Sequence, residues 1–383
     1  MGEKKKALIV TTVSGFVPQF EMNNVKILQD MGYEVHYAAN YNTPVYTDNN
    51  DRLEGTGIVR HQVDFIRSPF RINKSIKAYR QLRKVMKCDK YDLVHCHTPM
   101  GGVIGRVAAK QAKIPYIIYT AHGFHFFKGA SLINWLFFYP VERILARLTD
   151  VLITINKEDY HRALKFHMRE LGSVKLVHGV GIKITDTEII NQQELRRSFN
   201  LKDDDVVFTS VGELTKRKNH EVTIRAMAQI VSKHKNIKYL ICGTGRLDQY
   251  LEKLIRKLKL EENVKLVGYR TDVKEILSIT DCFLFPSLQE GLPVAMLEAM
   301  NMELPIICSK IRGNIDLVEN FKGGYYCKKK SSKDYSEKIN LILEDKNLGR
   351  QMGLRNKDDL SKFDLKHISE KMKEIYGSSE RVS

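Results

Sequence analysis

The chain has 383 residues, 43% of them apolar and 28% charged. That composition is globular rather than disordered, and the length exceeds what one hydrophobic core ordinarily serves, so two domains are expected. The longest apolar stretch, residues 131–141, is broken by Asn134 and Pro140 and falls far short of the roughly 20 residues a spanning helix needs, so no membrane span is predicted. A formal charge of +17 asks for anionic company: a phosphorylated substrate, a phospholipid surface or nucleic acid, with a solvated basic surface as the plain alternative. No aromatic-basic RNA motif or zinc-finger spacing supports nucleic acid as a partner.

Lys4, Lys5 and Lys6 precede Ala7-Leu8-Ile9-Val10, which superficially imitates a signal peptide. Thr11 and Thr12 end the apolar run and no small-residue cleavage site follows, so the segment reads as a cytoplasmic first strand. Strand candidates then fall at 7–12, 33–39, 59–65, 92–96, 116–120, 151–155 and 174–177. Helical stretches lie between them near 20–31, 73–87, 102–112, 132–148 and 157–168. Such alternation is the pattern of parallel sheets covered by helices on both faces.

The polar segment 181–192 interrupts the rhythm and reads as a linker. Alternation resumes with strands at 206–211, 238–241, 264–267, 282–285 and 306–308, and from Lys333 onward three polar helices follow. The last, about 366–376, carries Ile368, Met372 and Ile375 at helical spacing, an apolar stripe that needs a surface to cover. The expected division is a domain over 1–180, the linker, a second domain over 193–364, and a terminal helical segment over 365–383. Cys88, Cys96, Cys242, Cys282, Cys308 and Cys327 form no Cys-x-x-Cys pair, so buried reduced thiols fit better than zinc or disulfides.

Ligands of open α/β sheets sit at the carboxyl ends of strands. After strand 282–285 comes Pro286-Ser287-Leu288-Gln289-Glu290-Gly291-Leu292-Pro293, then a helix. Pro293 suits the first helical position, and the unpaired amides of Val294 and Ala295 suit a diphosphate. Glu290 and Glu298 stand roughly 10 Å apart along the backbone by helix rise. Glycosidase carboxyl pairs need about 5–9.5 Å, so separate hydroxyl-binding roles fit better than an acid/base pair. The alternative is two solvated charges.

The run Val211 to Asn219 ends a strand in a basic turn. A lysine there can neutralise a departing diphosphate, while the plain alternative is a solvated turn capped by Asn219. In the first half, His95 and His97 follow one strand and His122 the next. With no carboxylate triad nearby, zinc is disfavoured. Gly15, after the first strand, permits close backbone approach. Residues 115–141 combine Phe126, Phe127 and Lys128 with Trp135, Phe137 and Phe138, and Arg143 and Arg147 follow. This suits an acceptor groove or a membrane-interface helix, or else an ordinary core helix.

Together these motifs resemble, over nearly the full length, the family 4 retaining glycosyltransferases of the GT-B fold, especially bacterial capsule and exopolysaccharide enzymes. The resemblance rests on Val211-Gly212, Ile241-Cys242-Gly243-Thr244-Gly245, Val264 to Tyr269, Phe285-Pro286-Ser287, and the Glu-x7-Glu pair of Glu290 and Glu298. It implies two doubly wound Rossmann-like domains facing across a cleft, with the terminal helix crossing back onto the first domain. Glu298 would hold the ribose hydroxyls, Glu290 the donor sugar, Lys218 the phosphates, and Tyr269 and Arg270 the base. Leu292, Pro293, Val294 and Ala295 would form the diphosphate cradle, with His122 and Gly15 contributing from the first domain. Glu213 stands where many members carry an arginine, and Arg217 is the substitute expected from the same turn.

The implied reaction is transfer of a hexose-type sugar from a nucleotide sugar, UDP being expected. It goes to a saccharide or undecaprenyl-diphosphate-linked acceptor, with retention, without metal or cofactor, at an anionic membrane surface inside the cell. The alternatives are a nucleotide-sugar 2-epimerase of the same fold, which needs no acceptor, and a non-catalytic subunit of a polysaccharide assembly complex.

Overall fold

The structure is a computed structural model that describes residues 4–43, 50–185 and 191–381. Two compact units divide the chain: residues 1–181 with 365–383, and residues 182–364. Within the linker segment, residues 186–190 lie outside the described set. Its first part is less detached than a linker. Ile182 donates its N–H to the Phe363 carbonyl at 2.9 Å, and Ile182 and Ile184 pack on the second unit's core.

The first unit holds a seven-stranded parallel sheet in the order β3-β2-β1-β4-β5-β6-β7. Its strands are β1 (Lys6–Val13), β2 (Glu34–Asn40), β3 (Val59–Gln62), β4 (Leu93–His97), β5 (Tyr116–Ala121), β6 (Val151–Thr154) and β7 (Ser173–Leu176). The helices are α1 (Met22–Asp30), α2 (Ile72–Cys88), α3 (Pro99–Gln111), α4 (Leu132–Ala146) and α5 (Lys157–Ala163). Central strands such as β4 are buried at every position, as a sheet covered on both faces requires. Their alternate side chains feed two cores, one through Leu8, Val94 and Ile117 and the other through Ile9, Leu93 and Ile118.

The second unit begins with α6 (Gln192–Ser198) and holds a six-stranded sheet in the order β10-β9-β8-β11-β12-β13. Its elements follow as β8 (Val206–Val211), α7 (His220–Ile230), β9 (Ile237–Cys242), α8 (Asp248–Lys257), β10 (Val264–Gly268), α9 (Val273–Ser278), β11 (Cys282–Phe285), α10 (Val294–Asn301) and β12 (Ile306–Ser309). The unit ends with α11 (Asn314–Leu317), β13 (Gly324–Cys327), α12 (Ser332–Glu344) and α13 (Lys346–Asp358). All strand pairs of both sheets are parallel.

The final helix, α14 (Leu365–Gly377), belongs to the first unit. Ile368, Met372, Ile375 and Tyr376 enter the core beside Leu93 and Ile118. The Tyr116 hydroxyl donates to the Ile375 carbonyl at 3.0 Å, and the Asn23 amide donates to Ser369 Oγ at 3.0 Å.

Several boundaries differ from the pattern-based reading. The strand expected over 59–65 pairs only through Gln62, with the later Val63 and Phe65 buried as coil. The helix expected from residue 20 is preceded by a π-helical turn, Val17–Glu21. Strand β13 has no counterpart in the pattern reading: it is four residues long and forms because β12 offers a partner. A Cβ at Gly324 would fall 1.8 Å from the Ile306 carbonyl oxygen, so only glycine allows that pairing. All six cysteines are unpaired, and all but Cys88 are buried.

Candidate active site

In the second unit the strand order reverses between β8 and β11, so the loops leaving their carboxyl ends diverge, which is where such sheets take ligands. The loops are laced together. The Leu288 N–H donates to the Arg217 carbonyl at 2.8 Å, and Ser287 Oγ lies 3.2 Å from the same carbonyl. The Asn219 side-chain amide donates to the carbonyls of Pro286 and Lys329 at 3.1 and 2.8 Å. Asn219 stands at the start of α7 but makes no capping bond. Its amide joins two loops instead, which corrects the cap reading. Gly313, at φ +80, allows a further loop to approach, since a Cβ there would lie 2.5 Å from the Gly291 carbonyl.

This lacing brings Lys218, Arg217 and Glu290 together. Lys218 Nζ lies 2.8 Å and Arg217 Nη1 2.7 Å from Glu290 Oε1, and the Ser287 hydroxyl donates to the same oxygen at 2.5 Å. The Arg312 Nε–H holds the Glu290 carbonyl at 3.1 Å. Burial alone pushes the Glu290 carboxyl up, but Lys218 and Arg217 outweigh it and hold it below its ordinary range. It is therefore an anion at neutral pH, and two cations on one carboxylate leave surplus positive charge at the strand ends.

Helix α10 starts one residue later than the pattern reading places it. Pro293 is the residue before the helix, in extended conformation. The Met296 N–H already closes onto the Pro293 carbonyl at 3.2 Å, so the amides of Val294 and Ala295 are the ones left open at the positive end of the helix dipole. Leu292 packs on the core behind them. Glu298 lies farther along α10, and burial raises its pKa. Among the described residues its carboxylate has no hydrogen-bonding or ionic partner. Tyr269 and Arg270 follow β10, at the sheet's far edge. Tyr269 is exposed, and Arg270 is held by Asp272 through Nε at 2.7 Å and a second nitrogen.

In the first unit, Gly15 occupies the turn after β1. His97 ends β4, and His122 follows β5, its neighbour in the sheet. His97 Nδ1 is 3.1 Å from His122 Nε2, and Glu21 Oε1 is 3.6 Å from each of those nitrogens. A single carboxylate that the pattern reading did not identify therefore stands beside the histidines, because the π-helical turn points Glu21 inward. Burial pushes Glu21 up to about 8 and His122 down to about 4. His95 is separate: its nitrogens meet the Tyr376 hydroxyl at 2.9 Å and the Thr120 hydroxyl at 2.8 Å. A cavity lined by Phe20, Glu21, Asn24, Thr120 and His122 opens beside the cluster.

The aromatic-basic segment needs correction. Phe126 is fully buried in the core among Phe124, Trp135, Tyr139 and Phe166, so it lines no surface groove. Phe127 is half-buried and Lys128 exposed. The exposed apolar side chains belong to α4 instead: Leu132, Ile133, Leu136, Phe137 and Ile144.

Sequence reasoning missed Glu21, Ser287 and Arg312. Ser287 precedes Glu290 by one turn's spacing, a local signal that was legible. Glu21 and Arg312 carry no local signal, since each acts on residues distant in the chain.

The profile "Glycosyl transferase 4-like" matches residues 6–156, and "Glycosyl transferases group 1" matches residues 191–359. EpsD of Bacillus subtilis (strain 168), named as a glycosyltransferase, is 34% identical over 98% of this chain and 97% of its own length. The UDP-Gal:alpha-D-GlcNAc-diphosphoundecaprenol alpha-1,3-galactosyltransferase of Escherichia coli is 30% identical over 79% of each chain. Among solved structures, Anabaena HepE in complex with UDP superposes with a TM-score of 0.79 at 19% identity, covering 98% of this chain and 100% of its own, a likeness of fold. Matched in both halves and across nearly its whole length, the chain belongs to the family 4 glycosyltransferases of the GT-B fold.

Proposed function

We propose that this glycosyltransferase moves a hexose-type sugar from a UDP-sugar to a lipid-linked saccharide acceptor in surface-polysaccharide biosynthesis, retaining the anomeric configuration without a metal. The carrying observation is the convergence of Lys218, Arg217 and Glu290 beside the open amides of Val294 and Ala295. In this reading Lys218 and the helix start take the diphosphate, with Arg217 as the second cation. Glu290 binds donor-sugar hydroxyls, Glu298 the ribose, and Tyr269 and Arg270 the base. Leu292 and Pro293 shape the cradle. The Escherichia coli relative, whose name specifies UDP-galactose and a diphosphoundecaprenol acceptor, supports the choice of donor and acceptor class.

A panel of UDP-sugars, incubated with and without a short-chain polyprenyl-diphosphate saccharide, tests the reading. Acceptor-dependent release of UDP with a new α-linkage is expected. Interconversion of a UDP-sugar without acceptor would instead establish the epimerase alternative, and inactivity across the panel the non-catalytic one.

The acceptor is met at an anionic membrane surface on the cytoplasmic side. No helix among the described residues is long and apolar enough to cross a membrane, but α4 presents an apolar outward face with Leu132 80% and Leu136 73% exposed. Phe70 stands against Phe137 of that face at 6.5 Å between rings. Arg143 and Arg147 continue the face, and α2 carries Lys74, Lys77, Arg80 and Lys84 without an acidic residue. The one acid of α4, Glu142, is buried against Arg106 at 2.7 Å. Apolar side chains bordered by cations suit an interfacial helix. Sedimentation with phosphatidylglycerol vesicles should fall at least about tenfold in the double variant L136S/F137S. Equal binding to phosphatidylcholine-only vesicles would refute the anionic preference.

A further inference from the structure

The pair His97 and His122 admits only two neutral proton arrangements, and the surroundings decide between them. A neutral imidazole has one N–H and one lone pair. His97 is fully buried, and its Nε2 has no partner among the described residues. If that nitrogen carried the proton, a buried N–H would lack an acceptor, which is the costlier orphan. With the proton on Nδ1, His97 donates to His122 Nε2 across the 3.1 Å contact, and only a bare lone pair is left unpartnered. His122 Nε2 is then an acceptor, so the proton of His122 resides on Nδ1.

The groups around the pair keep it uncharged. Glu21 is buried 3.6 Å from both nitrogens, and Asn24 donates to its Oε2 at 2.5 Å, leaving Oε1 to carry the carboxyl proton. Below about pH 8 burial keeps that proton in place, so no carboxylate draws a proton onto either ring. From β4, His95 packs on His97 with ring centroids 4.0 Å apart, and burial holds His95 neutral as well. From α14, Tyr376 faces His95 with its hydroxyl, and burial holds that proton in place.

We propose that His97 and Glu21 are positioning residues that fix His122 as a neutral, Nδ1-protonated imidazole, so that His122 acts as a hydrogen-bond donor to a sugar hydroxyl and not as a base. The proposal rests on the sugar-nucleotide reading above. It gives the cavity beside Phe20, Asn24 and Thr120 a donor of fixed direction, which suits recognition of a hydroxyl lone pair.

The test is long-range ¹H–¹⁵N correlation of the imidazoles in the full chain at pH 7, together with titration of UDP and of UDP-sugar. Wild type should show His122 as the Nδ1–H tautomer. His97→Phe, which keeps a ring and removes the donor, should shift that tautomer and weaken UDP-sugar binding about tenfold while leaving UDP affinity unchanged. His97→Asn, which restores an N–H near the same place, should recover most of the loss. A wild-type His122 found as the Nε2–H tautomer or as imidazolium overturns the proposal, whatever the variants do.

So does one equivalent of Zn²⁺ bound by wild type and not by Glu21→Gln. The three ligand atoms lie within 4.8 Å of one another, and an ion there needs lone pairs on both facing nitrogens. If no UDP-sugar binds at all, the functional reading fails while the tautomer measurement still decides the proton assignment.

Discussion

Glu290 in the second unit and Glu21 in the first are both nearly buried, at 10% and 2% side-chain exposure, yet they titrate in opposite directions. Glu290 has Lys218 and Arg217 on one oxygen and stays ionised. Glu21 has an amide and two neutral imidazoles around it, and burial keeps it protonated into the range of pH 8. The contrast separates two kinds of polar site. One concentrates fixed charge and suits an anion, while the other is largely buried and uncharged and suits hydroxyls.

The sharpest way to break the charged half is Lys218→Ala. It removes the less exposed of the two cations, and kcat/KM for sugar transfer should fall by about 10²–10³, the scale seen when one preorganised electrostatic partner is lost. Next is Glu298→Gln, whose free carboxylate is read as the ribose contact. UDP affinity by calorimetry should weaken roughly tenfold or more, as for a hydrogen bond involving a charged group, and an unchanged value would remove that role.

The neutral half is tested by pH. The folded pKa of Glu21, about 8, exceeds its reference of 4.5, so the stability linked to its proton is fully present below pH 4.5 and is lost as pH rises toward 8. Glu21→Gln has no proton to lose. Its melting temperature relative to wild type should therefore climb by about 3 °C or more across that window, and a difference independent of pH would contradict the assignment. The smallest effect is expected of Arg217→Ala. Its guanidinium is 46% exposed, and turnover should drop less than about tenfold. No change at all would end its candidacy as the second phosphate cation.

Much of this was legible in the sequence, for physical reasons that differ by region. The central strands betrayed themselves because burial on both faces forces continuous apolar runs, as in β5 and β11. Glu290 stood out because a strand-end loop carries its chemistry in contiguous residues, whereas Lys218 in its basic turn and Glu298 on helix α10 took their roles from the family resemblance of the motifs around them. Phe126 misled because an aromatic beside a lysine reads alike in a core and on a surface; only the packing of Trp135 and Tyr139 around it decides. Asn219 misled because a residue at a helix start has a familiar local job, and its actual partners, Pro286 and Lys329, are remote in the chain. Glu21 was invisible because its burial depends on a π-helical turn and on two strand ends that no local pattern couples to it.

Helix α14 has one more consequence, for the order in which the polypeptide acquires its structure. The first unit's core stays open at Leu93, Tyr116 and Ile118 until Ile368, Met372, Ile375 and Tyr376 arrive. On a ribosome these residues emerge only after every strand of the second unit has been synthesised. The half made first is thus the half finished last, and its uncovered sheet face must wait through the synthesis of the other.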